Sequence, residues 1–159
     1  MSWMDDLLSK LSGQQPAPPP INHAVFGRIW AGQRPKTDAW HWQMLDPIHH
    51  PRGEVTATWR AGREGPSQAQ IAFWQWLCSH IDEVVEQSRE LLAIDVAEWT
   101  EKPVPADIWQ ELTWKSADLP IDGDRNSDWE VSFATPTCPD VLLAVVHEQG
   151  RPLYIRVDD

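Results

Sequence analysis

Ser67 is followed three residues later by Gln70, the signature of a reciprocal capping box at a helix start. Behind it Ile71, Trp74, Leu77, Cys78, Ile81, Val84, Val85, Ser88, Leu91 and Leu92 recur at i, i+3, i+4 and i+7, a single stripe on a helical surface. The spacing predicts one amphipathic helix over residues 67–92, about 39 Å long at ~1.5 Å per residue. Its pattern extends through Val96 and Trp99 until Pro103 and Pro105 stop it. A rod of that length needs a broad apolar surface to lie on, so the rest of the chain should supply a sheet.

The flanking sequence reads that way. Before the helix, strand-like runs fall at residues 24–30, 39–45 and 54–60, between clusters of Gly, Pro and Asp. Alternation is clearest in the third run, where Val55, Ala57 and Trp59 share one face and Glu54, Thr56, Thr58 and Arg60 the other. Trp40 and Trp42 share a face of the second run. After a helical turn at residues 106–109, further runs fall at 111–114, 129–134, 141–147 and 153–157, the last three reading as a meander. Strands, one dominant helix and strands again predict an α+β domain over residues 23–159: antiparallel sheet packed on one long helix. Ahead of it, Trp3, Met4, Leu7, Leu8 and Leu11 predict a short amphipathic N-terminal helix over residues 1–12. A proline-rich tether over residues 13–22 joins the two.

The net charge of −11 disfavours nucleic acid and anionic membranes, since no excess of Lys or Arg is present to displace counterions. A basic protein partner is more natural. Acids stand at the N-terminus where a secretory signal carries bases, and no apolar run is long enough to span a bilayer, so a cytoplasmic protein is expected. Cys78 and Cys138 are too few for a disulfide framework and read as small buried hydrophobes.

No catalytic motif stands out, and no cofactor or catalytic residue is expected. There is no G-x-S-x-G elbow, no phosphate-binding glycine loop, no H-E-x-x-H and no C-x-x-C. His49 and His50 fall in an expected loop, and His80 with Glu83 reads as a surface pair one helical turn apart. Asp122, Asp124, Asn126 and Asp128 match the opening spacing of a calcium loop, but Ser127 replaces the required Gly and Phe133 the bidentate Glu. Ordinary turn chemistry accounts for the same residues, and a weakly bound divalent ion is the alternative. Among the eleven tryptophans, Trp74 and Trp76 lie about 200° apart on a helix, which makes Trp76 the candidate exposed one.

Three stretches carry a resemblance. The segment 65–70 opening the long helix, Trp129-Glu130-Val131-Ser132-Phe133, and the closing 151–158 run resemble a group of small bacterial domains of unknown function. Some members of that group resemble immunity proteins of polymorphic toxin systems. The likeness covers residues 26–159 and carries over no catalytic residue.

The expected function is therefore a non-enzymatic protein-binding domain, of immunity or adaptor type, that uses an acidic surface. Its candidate contacts are Trp76, Asp82, Glu83, Glu86, Asp122, Asp124 and Asp128. The alternatives are a carboxylate enzyme using a divalent ion at residues 122–128, and a domain that stacks sugars or small molecules on tryptophan.

Overall fold

A computed structural model of the chain describes residues 17–32 and 39–158. The expected N-terminal helix lies outside those residues. Among the described residues nine strands form one sheet: β1 (Ile21–His23), β2 (Gly27–Gly32), β3 (Trp40–Met44), β4 (Ile48–His50), β5 (Gly53–Ala61), β6 (Thr113–Leu119), β7 (Trp129–Ala134), β8 (Leu142–Glu148) and β9 (Arg151–Asp158). Their order is β1-β2-β3-β5-β6-β7-β8-β9, with β4 paired to part of β5. Ile21 and Asn22, expected in the tether, belong to β1.

The sheet dominates the molecule, and it overturns the expected arrangement of an antiparallel sheet on one long helix. It is mixed: β5 and β6 run parallel, Thr56 opposite Ser116 and Trp59 opposite Leu119. Parallel neighbours need a long crossover to bring the chain back to the starting end of the sheet. Two helices supply it, α1 (Gln68–Gln87) and α2 (Arg89–Thr100), followed by a 3-10 turn at Ile108–Gln110.

The stripe is continuous in sequence, but the helix that carries it is in two pieces. At about 100° per residue, Phe73, Leu77, Ile81 and Val85 stay within roughly 60° of one line on α1. Leu92, Val96 and Thr100 recur every four residues, so on one straight helix they would drift about 40°, 80° and 120° away from it. The helix is interrupted at Ser88, between α1 and α2. Ser88 is buried, its hydroxyl donates to the Val84 carbonyl at 2.8 Å, and its N–H is shared between the Val84 and Val85 carbonyls. A serine bonded back to i−4 in this way often bends a helix.

The core lies between the helices and one face of the sheet. The alternation expected for β5 holds, with Val55, Ala57 and Trp59 fully buried. Trp40, Trp42, Trp74, Trp114 and Trp129 join them, and Phe26 stacks on Trp59 at 4.5 Å. The indole N–H groups of Trp42, Trp114 and Trp129 donate to the carbonyls of Gly62, Ser116 and Arg125, each at 3.0 Å. That of Trp59 has no acceptor among the described residues.

Three segments meet at one end of the parallel pair. Ser67 and Gln70 form the expected capping box: the Ser67 hydroxyl accepts from the Gln70 N–H at 3.1 Å, and the Ser67 N–H donates to Gln70 Oε1 at 3.0 Å. The other end of the same buried amide donates to the Arg60 carbonyl, at the end of β5, and to the Pro120 carbonyl, just past β6. One side chain thus ties the helix start to both strand ends and to the loop that follows.

Candidate functional site

The loop between β6 and β7 is pressed onto the first turn of α1. Gly123 has φ +72°, and a Cβ there would fall on the backbone of Ala69. Glycine is required twice over, by the dihedral and by the contact. The approach creates a groove of about 480 Å³ whose floor includes Ala69, Ala72 and Phe73 and whose walls include Trp76, Asp124 and Arg125.

Trp76, Asp122 and Asp124, singled out separately in the sequence, line this one groove. Trp76 is not an exposed anchor. It is half-buried, with the Arg125 guanidinium 4.8 Å above its ring and the His80 ring stacked 5.5 Å away. Its edge meets Trp129, which lies flat against His147 at 3.7 Å. Among the described residues the exposed tryptophan is Trp30. A helical wheel places Trp76 away from the sheet, but it carries no information about a loop nearly fifty residues later that folds over it.

The carboxylates of the loop are occupied by the loop itself. Asp122 accepts from the Asp124 N–H at 2.9 Å and from the Ser127 hydroxyl at 2.6 Å. Asp124 accepts from the N–H and side-chain amide of Asn126 at 2.9 and 3.2 Å. The Ser127 hydroxyl, with the Asp124 N–H, holds Asp122 below the ordinary carboxylate range. These bonds satisfy oxygens that a hard cation would have to share, so the D-x-D-x-N pattern acts as a chain of side-chain-to-backbone turns. Among the described residues no three His, Cys, Asp or Glu side chains converge as a metal-binding group. Asp128 lies outside the groove, in a neighbouring cleft with Arg60, Asp118 and Ile121.

The remaining candidates lie on the crossover helices. Asp82 is held by a two-pronged ion pair to Arg52, at 2.8 and 3.0 Å, and the Arg52 guanidinium lies 4.6 Å over Trp109. Arg52 accordingly keeps the Asp82 carboxyl below its ordinary range. Asp82 therefore clamps α1 to the turn before β5. Glu86 comes within 3.6 Å of Arg89, whose guanidinium is otherwise spent on the carbonyls of Pro105 and Ala106.

Glu83 begins a different feature that continues onto α2. Between residues 68 and 102 stand Asp82, Glu83, Glu86, Glu90, Asp95, Glu98 and Glu101 against only Arg89 and Lys102. Glu83, Glu90, Glu98 and Glu101 are exposed, and Ile94, at 68% exposure, sits one turn from both Glu90 and Glu98. The half-buried Asp95 carboxyl is pushed above its ordinary range, by burial first and by the charge of Glu98 second. This surface carries uncompensated negative charge around an apolar side chain. Glu90 and Ile94 were not among the sequence candidates; their one-turn spacing was the available signal.

Comparison with protein-family models, curated proteins and solved structures yields no match. The reading of the site therefore rests on its own chemistry. Among the described residues no helix is long and apolar enough to cross a membrane.

Proposed function

We propose that this chain is a non-enzymatic protein-binding module that presents the outer face of α1 and α2 to a basic partner. The observation that carries the reading is the run of exposed Glu83, Glu90, Glu98 and Glu101 around exposed Ile94, with Arg89 held by Glu86 and by the backbone of Pro105 and Ala106. A folded surface that holds like charges together gains when a cation arrives, and a central apolar residue offers the contact that a merely solvating acidic face lacks. Complementary charge would also speed encounter with such a partner. Glu83 and Glu86 extend the same face; Asp82 serves as a structural clamp. The likeness to a group of small bacterial domains, some of which resemble immunity proteins, points in the same direction.

The test compares capture by the wild-type chain with capture by a Glu90→Lys/Glu98→Lys variant, at low and high salt, with thermal melting as the control for folding. A basic protein bound stoichiometrically by the wild type, released by salt and lost from the variant, is the expected result. Equal capture by both chains would refute the assignment of the face.

A further inference from the structure

β9 closes one side of the sheet. Its pairing with β8 uses one row of its backbone groups, and among the described residues no strand pairs with the other row. An unpaired row on a long strand is a template for another strand, and proteins usually blunt it with shortness, proline, bulges or charge. The opposite edge is blunted by length, since β1 has three residues. β9 has eight, an edge about 27 Å long at ~3.4 Å per residue.

Two of these devices, proline and a bulge, are confined to the start of β9. Pro152 and the register irregularity at Val146/His147 lie there, whereas Tyr154 to Asp158 pair regularly with Val146 to Leu142. Leu153, Tyr154 and Val157 are exposed by 53%, 47% and 38%. The charge of the strand departs from that of the chain. Arg151 and Arg156 outnumber Asp158 here, while the whole chain carries −11. Arg156 is in turn paired with Glu130 and Asp158, each at 2.9 Å, so the edge is locally balanced. Two such acidic molecules repel over most of their surfaces and least along this edge.

We infer that β9 is an interface for a second copy of this chain, the two strands running antiparallel about a two-fold axis at Ile155. This register sets Leu153 against Val157 of the second copy and Tyr154 against its Arg156, and places no like charges opposite one another. Shifting the axis to Arg156 would set that arginine against itself, which cross-strand pairing disfavours. The apolar side chains then cover each other, and the free backbone row gains hydrogen bonds. This inference is independent of the acidic helix face.

Sedimentation velocity of the full chain, from low to high micromolar concentration, tests it. The wild type should form a dimer. Leu153→Lys/Val157→Lys should weaken dimerisation by about tenfold or more, by removing apolar cross-strand pairs and adding repulsion, while circular dichroism and melting stay as in the wild type. A Leu153→Cys/Val157→Cys variant gives a second readout that does not depend on the lysine variant folding. The two positions lie about 13 Å apart along one strand, too far to bridge, so oxidation should yield a covalent dimer that the wild type does not form. A wild type that stays monomeric at the highest concentration would overturn the inference, as would a dimer untouched by the lysines or cysteines that fail to cross-link.

Discussion

Replacing Gln70 by alanine should be the most damaging single polar change in this molecule. The side chain is fully buried and makes three hydrogen bonds: it accepts from the Ser67 N–H and donates to the carbonyls of Arg60 and Pro120. At a net ~1 kcal/mol per bond the loss is about 3 kcal/mol, with more where a carbonyl stays dry and unpartnered. For a chain of this size that is a fall in melting temperature of about 6–12 °C. Ser67→Ala removes only the hydroxyl cap and should cost about 1 kcal/mol. Gln70→Glu separates the two halves of the argument: it keeps the acceptor for Ser67 but turns a carboxylate oxygen toward two carbonyls. Its folded-state pKa would rise above the unfolded value, so the variant should be weakest at neutral pH and recover as pH falls toward about 4. Urea denaturation of all three variants at pH 7 and pH 5 is the assay. A Gln70→Ala variant no less stable than Ser67→Ala would refute the reasoning, since it would mean the strand ends are not held through this amide.

Other consequences follow from the same packing. Trp59→Phe should cost about 1–3 kcal/mol less than Trp42→Phe or Trp114→Phe in urea melts, because of these three indoles Trp59 alone has no N–H acceptor among the described residues. Gly123→Ala should destabilise more than Gly27→Ala: both sit at positive φ, costing about 1–2 kcal/mol, but only at Gly123 does the new carbon meet backbone, adding about 1–3 kcal/mol. Burial lowers the His147 pKa to about 4, against an opposing contribution from the Val145 backbone. The unfolded chain takes up that proton near pH ~6.5, so this part of the stability is full above that pH and is lost as pH falls toward 4. His147→Phe should flatten the stability profile across that window; an unchanged profile in denaturation at stepped pH would contradict the burial argument.

Local signals in the sequence translated directly into structure. The capping box at Ser67 and Gln70 and the alternating faces of β5 depend on residues a few positions apart, and both formed as read. What escaped depends on distant residues. The break at Ser88 divides what the periodic stripe reads as one helix, and the spacing of apolar residues carries no mark of it. The parallel direction of β6 is invisible in a strand–helix–strand pattern, because the path of the crossover decides it. β1 and β4, three residues each, are too short for alternation to register, so His50 was taken for a loop residue although it reaches the Cys78 carbonyl of α1 at 3.0 Å. The site was legible in pieces. Asp122, Asp124 and Trp76 were each noticed, yet their meeting depends on Gly123 admitting the loop against Ala69. Charge alone promoted Asp82, which its partner Arg52 withdraws into the scaffold.

The proposed function requires that the outer face of the crossover helices meet a basic protein. The direct measurement is the association rate of the captured partner as ionic strength rises, for the wild type and for Glu90→Lys/Glu98→Lys. The expected result is a rate that falls steeply with salt for the wild type and a slower, flatter profile for the variant. Two superimposable, salt-insensitive profiles would contradict the proposed function.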